Sequence, residues 1–208
     1  MGKLIAKIVL TGGPCAGKTT TIARIDEHLT KKGYHVLNLN ECATEVIKWG
    51  IRPFGDGKVS VYDFQNEILK LQLFKEKRFK EILDKLPSEK VILIADRGVI
   101  DNKAYLGQEL FDKLLKENNL KEEDLLKEYD MVIHMITVAN DMESRFSNSN
   151  NTARFENASE AVDLDKRTSD AWKNHPNVKT VPVCEFLEEK IEQAIYYVDE
   201  LIESKENE

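Results

Sequence analysis

The chain has 208 residues, 41% of them hydrophobic and 32% charged, which is enough for one sizeable core. Its formal net charge of -7 argues against a general nucleic-acid or membrane-surface binder, because both usually carry a basic balance. No apolar run reaches membrane-spanning length, and the three cysteines (Cys15, Cys42, Cys184) and four histidines form neither a CxxC nor a metal-ligand pattern, so a cytoplasmic protein with reduced thiols is the simplest reading.

The chain opens on "KLIAKIVL", a continuous apolar run that predicts a strand buried on both faces. It leads directly into "TGGPCAGKTT", where Gly12-x-x-x-x-Gly17-Lys18-Thr19 satisfies the P-loop pattern, and then into a helix-like segment. That context gives the motif its meaning. Glycines let the backbone bend round a phosphate chain with its amides pointing inward, and the following helix adds the positive end of its dipole. Gly12, Gly13, Pro14, Cys15, Ala16, Gly17, Lys18, Thr19 and Thr20 are therefore the expected wall of a nucleoside triphosphate site. Lys18 is expected at a surface loop, reaching the β- and γ-phosphates, and the Thr19 hydroxyl on Mg²⁺. Cys15 reads as a small filler of the loop.

A second strand, "YHVLNLN", ends beside Glu41, and a long amphipathic helix follows from Asp63 to Leu86. The third strand, "KVILIAD", ends on Asp96 and Arg97. Ligands of open parallel sheets sit beyond the carboxyl ends of the strands, so both acids are placed to bind Mg²⁺ or to accept a proton. The plainer alternatives are a first-turn helix acid for Glu41 and a structural ion pair for Asp96 and Arg97. A fourth strand, "MVIHMITV", precedes a Ser- and Asn-rich segment at about 141–158, and a fifth, "VKTVPV", lies between two helical stretches. Trp172, Phe186, Tyr196 and Tyr197 fall on those stretches at spacings that suggest core positions, and "ESKENE" reads as a frayed polar tail. Strands alternating with helices predict an α/β fold with a five-stranded parallel sheet, in one domain over 1–204 with a tail at 205–208.

The segment "DRGVIDNKAYL" resembles the Asp-Arg segment of thymidylate and deoxynucleoside kinases. The order Glu41, Gln65, Gln72, Asp96-Arg97 follows their base, substrate-binding amide and acid-Arg pair. Together with "GGPCAGKTT" and "NNTARFENASEAVDLDKRTSDAWKNHP" it resembles the NadR-type AAA P-loop family, which includes nicotinamide riboside kinase domains and GTP-binding translocation-defect proteins. That resemblance implies a three-layer kinase-like fold with strand order 2-3-1-4-5. It also implies a mobile lid at about 141–158, where Arg145 and Arg154 would close over the transferred phosphoryl group and Glu156 would orient Arg154. Gly98 stands where thymidylate kinases have an aromatic residue, which points away from a pyrimidine acceptor.

The expected activity is Mg²⁺-dependent transfer of the γ-phosphoryl of ATP or GTP to a nucleoside-like hydroxyl, with Glu41 as base and Asp96 on the metal. A nucleotide switch with slow hydrolysis is the alternative from another class, although "TVANDMES" lacks the Asn/Thr-Lys-x-Asp segment a GTPase would carry. A kinase of nucleic-acid 5'-ends is disfavoured by the acidic balance.

Overall fold

The apolar runs become strands β1 (Lys3–Thr11), β2 (His35–Leu39), β3 (Lys90–Asp96), β4 (Met131–Met135) and β5 (Val178–Val181) in a computed structural model that describes residues 2–83, 85–87, 90–137 and 158–207. They pair in parallel in the order β2-β3-β1-β4-β5, the α/β topology that the resemblance implies. Helices α1 (Lys18–Lys31), α2 (Cys42–Lys48), α3 (Val61–Leu83), α4 (Asn102–Glu117), α5 (Glu122–Leu126), α6 (Ala158–Trp172) and α7 (Leu187–Glu206) join them.

Period-two alternation divides the core between the two faces of the sheet. Ile8 and Leu10 of β1 pack with Ile25 and Leu29 of α1 and Val198 and Ile202 of α7. Val9 points the other way, into a cluster with Phe64 and Leu69 of α3, Phe111 and Leu114 of α4 and Trp172 of α6. Each such side chain, fully buried, contributes about 1.5–3 kcal/mol before conformational entropy is counted. That sandwich is why continuous apolar runs, and not alternating ones, marked the strands.

The buried stripe of α3 changes character along its length. It begins with Phe64, Ile68 and Leu69 and continues through Gln65, Gln72 and Glu76. Polar residues on the inner face of a helix need partners: Glu76 finds Lys7 and Tyr129, and Gln65 and Gln72 reach the site below.

Two expectations are corrected. Phe186 and Tyr196 are 56% and 58% exposed, because the inward face of α7 is set by Lys190, Ile191, Ala194 and Val198, and Tyr196 falls on the opposite side. Trp172 is fully buried, as its spacing suggested. The tail is not frayed through residue 206: α7 runs to Glu206, whose carboxylate accepts from the Tyr34 hydroxyl at 2.9 Å and pairs with Lys90 at 2.7 Å.

Strand register brings the chemistry to one edge. Leu10 pairs with Asp96, Leu39 with Ala95, and Thr11 with His134, so the carboxyl ends of β1 to β4 reach a common level beside the glycine loop.

Candidate active site

The loop from Gly12 to Gly17 leaves β1 and enters α1, whose N-cap Gly17 has φ +91° and offers no side-chain cap. No side chain therefore caps the first-turn amides of α1, which leaves them able to receive an anion. Gly12 sits at φ +135°, and a Cβ there would lie 2.1 Å from the carbonyl oxygen of Met135. Gly12→Ala is therefore expected to destabilise the fold by about 3 kcal/mol or more, measured by chemical denaturation. A loss under about 1 kcal/mol would contradict this close approach of the two backbones.

Lys18 is not at the surface. It is 5% exposed, and its ammonium donates to the carbonyls of Gly12 at 3.1 Å and Gly13 at 3.0 Å, so the loop folds round its own lysine. Thr137 donates to the Pro14 carbonyl at 2.5 Å. The Gly13 amide donates to Asp165 Oδ1 at 2.5 Å, and the same oxygen lies 3.0 Å from His134 Nε2. Burial opposes the charge on Asp165, but His134 and the Gly13 amide outweigh it and hold the carboxyl below its usual range.

Glu41 is the N-cap residue of α2, and it has a partner that its own segment did not reveal. Arg97 Nε donates to its Oε1 at 2.9 Å, and the Thr44 hydroxyl donates to its Oε2 at 2.6 Å. Burial pushes the Glu41 carboxyl up, yet Arg97, Lys18 and the two hydrogen bonds prevail and hold it at about 2. Arg97 itself takes φ +72°, a left-handed conformation that costs a non-glycine residue about 1–2 kcal/mol. Three contacts fix it there: its amide donates to the Leu10 carbonyl at 2.9 Å, its carbonyl accepts from Gln72 Nε2 at 2.9 Å, and its guanidinium reaches Asp101 Oδ1 at 3.4 Å.

Asp101 is a residue that the sequence reading passed over. It is 3% exposed and accepts hydrogen bonds from the Thr11 hydroxyl, the Gly98 amide at 2.8 Å and the Trp172 indole at 3.2 Å. A Cβ on Gly98 would meet Trp172 at 2.5 Å, so an aromatic ring does stand at this turn, supplied by α6 and not by the residue after the arginine.

The Thr19 hydroxyl donates to Asp96 Oδ2 at 3.2 Å. Asp96 Oδ1 is buried with no hydrogen-bond partner among the described residues. Burial, reinforced by Glu41 and opposed by Lys18, raises its carboxyl above the usual range. A buried carboxylate oxygen without a donor, beside a hydroxyl, is a hard-oxygen environment of the kind Mg²⁺ takes.

A cavity of about 450 Å³ opens between Pro14, Glu41 and Arg97 on one side and Gln65, Asn102 and Tyr105 on the other, with Phe54, Phe64 and Ile68 in its apolar wall. Asp96 does not line it, although it lies near enough to Glu41 to feel its charge. Gln65 is 4% exposed and its amide makes no hydrogen bond among the described residues. Asn102 is 2% exposed and its Oδ1 has no partner there either. Gln72 also borders the cavity, but its amide nitrogen is engaged: besides the Arg97 carbonyl it donates to Glu76 Oε1 at 3.2 Å, and Glu76 pairs with the buried Lys7 at 2.6 Å. Of the two glutamines that the resemblance offered, Gln65 is the one with an unengaged amide. Arg145, Arg154 and Glu156 lie outside the described residues.

Among the described residues no group of three or more His, Cys, Asp or Glu side chains is gathered as a metal site, and no helix is long and apolar enough to cross a membrane. The profile of a family described as an AAA domain matches residues 7–190. No curated protein matches the chain. Among solved structures, the deoxyadenosine kinase from M. mycoides with bound dATP is similar, at 19% identity over 93% of this chain and 99% of that one, with a TM-score of 0.56. At that identity the likeness is one of fold.

Proposed function

Since the chain belongs to the AAA domain family, we propose that it is a P-loop phosphotransferase that moves the γ-phosphoryl group of ATP or GTP to a hydroxyl of a nucleoside-like molecule, with Mg²⁺ as cofactor. One observation carries this reading: a cavity large enough for a small molecule abuts the phosphate loop, has Glu41 and Arg97 at its rim, and contains the unengaged amide of Gln65 and the unpartnered carbonyl of Asn102. A heterocycle with an acceptor and a donor on one edge would satisfy both groups, and the apolar wall would take its face. The deoxyadenosine kinase of similar fold and the NadR-type resemblance agree with a nucleoside-like acceptor. A nucleotide switch would not require such a cavity.

In this scheme the loop amides and Lys18 bind the triphosphate. The acceptor oxygen attacks the γ-phosphorus, the bond from that phosphorus to the β-γ bridging oxygen breaks, and the nucleoside diphosphate leaves. Glu41 takes the hydroxyl proton. A weak base suffices, because in a loose transition state the proton departs late and positioning does most of the work. Thr19 and Asp96 would hold Mg²⁺, which when bound supplies positive charge against the phosphate oxygens.

The test is single-turnover loss of γ-phosphoryl from ATP and GTP with and without a panel of nucleosides. At least one nucleoside should accelerate the loss and appear phosphorylated; if none does, the binding-module alternative replaces this reading. With the best acceptor, Gln65→Leu should raise acceptor KM by about tenfold to a hundredfold, as expected for a lost buried hydrogen bond, while the triphosphate KM holds. Equal rises in both would remove Gln65 from the acceptor site.

A further inference from the structure

Lys190 lies outside the scheme above. It is on α7, far from the P-loop in sequence, and is 1% exposed. Its ammonium donates to the carbonyls of Ala16 at 3.1 Å and Ile136 at 2.6 Å. Among the described residues no carboxylate lies within ion-pair distance of it, and the charged or titratable groups that bear on it are Asp165 and Cys184. A buried ammonium held by neutral carbonyls alone is costly to desolvate, and a neutral donor in its place would satisfy the same carbonyls without that cost. Packing does not account for it.

The carbonyl of Ala16 belongs to the same peptide group as the amide of Gly17. A cation on that oxygen draws electron density toward it and makes the N–H on the other side of the bond a stronger donor, as in any polarised hydrogen-bond chain. That amide stands at the start of α1, where the loop turns toward an anion. One helical turn before Lys190, Leu187 packs against Gly17: a Cβ built on that glycine would meet Leu187 Cδ1 at 2.6 Å. α7 therefore seats on the loop through Leu187 and charges it through Lys190. Lys18 does the same for the Gly12 and Gly13 carbonyls, and Thr137 for Pro14 without the charge.

We propose that Lys190 is a positioning residue of the phosphate site, a second cation that acts on bound polyphosphate through the Ala16–Gly17 peptide without touching it. The proposal rests on the phosphotransferase reading only in requiring that the loop bind polyphosphate. In the absence of ligand its charge is a burden; with an anion on the far side of the peptide it becomes an asset. Removing the charge while keeping a donor for the two carbonyls should therefore lower affinity without lowering stability.

The experiment compares the full chain with Lys190→Met, which keeps the stem, and Lys190→Gln, which keeps a donor for the carbonyls without the charge. The probe is magnesium tripolyphosphate, titrated calorimetrically, with thermal melting in the absence of ligand alongside. Both variants are expected to bind the probe roughly tenfold more weakly as the polarising charge is lost; Lys190→Gln, which keeps a donor for the two carbonyls, is expected to melt at or above the parental temperature, and Lys190→Met, which leaves them unpaired, somewhat below it. Parental affinity in either folded variant overturns the proposal. So does weak binding by Lys190→Gln together with a melting temperature several degrees below the parent, or failure of both variants to fold, since each assigns Lys190 to bracing alone. Absence of binding by the parent itself would sink the phosphotransferase reading and this inference together, so the two failures are told apart by the parent.

Discussion

Glu41→Gln is expected to lower turnover by about two to three orders of magnitude while triphosphate affinity stays within about twofold. The substitution preserves shape and can keep the Thr44 contact, but it removes the charge that holds Arg97 Nε at 2.9 Å and the only function of this side chain that can take a proton. Because Glu41 lines the cavity and Asp96 does not, Asp96→Asn should behave differently and shift the magnesium dependence. Steady-state rates at saturating nucleotide over a magnesium series measure both. Full turnover in Glu41→Gln, or the same magnesium shift in the two variants, would end this division of roles.

Lys18→Ala is expected to lower kcat/KM by about three orders of magnitude, because a cation at the transferring phosphates stabilises charge in a site shielded from water. The buried position of Lys18 adds a consequence that a surface lysine would not have. Without its ammonium, the Gly12 and Gly13 carbonyls lose the donors at 3.1 and 3.0 Å, at a cost to the loop of about 1–3 kcal/mol. Circular dichroism should still show the parental fold, since the sheet and helices do not depend on that contact. Titration with ATP and GTP settles the matter, and parental affinity for both would remove Lys18 from the phosphate site.

What could be read from the chain, and what could not, follows from how far each interaction reaches along it. Gly12, Gly17 and Lys18 lie within one turn, and their spacing carries their chemistry. The strands were legible because burial on both faces leaves continuous Val, Ile and Leu runs. Glu41 and Arg97 are 56 positions apart and meet only because β2 and β3 are neighbours, so the ion pair that lowers the Glu41 carboxyl left no mark in either segment. Asp165 and Lys190 reach the loop from 152 and 174 positions away, at the ends of contacts that no local pattern announces. Gln72 shows the opposite failing: order along the chain suggested a substrate contact, while three-dimensional packing ties its nitrogen to Arg97 and Glu76. Phe186 and Tyr196 were misjudged because aromatic residues on a helix say little until its phase is fixed.

The burial of Trp172 against the arginine turn has an optical meaning. The chain has two tryptophans; Trp49 is 59% exposed, whereas Trp172 is wholly enclosed, with its indole N–H on Asp101 and its ring against Gly98. Their emissions are therefore separable, the solvated indole to the red and quenchable from solution, the enclosed one to the blue and shielded. The blue component originates within two hydrogen bonds of Arg97, so movement of that guanidinium alters the field felt by the indole. The molecule thus carries an intrinsic fluorophore behind the cavity wall, against Gly98 and Asp101, where a ligand that moves Arg97 would be reported by light with no label attached.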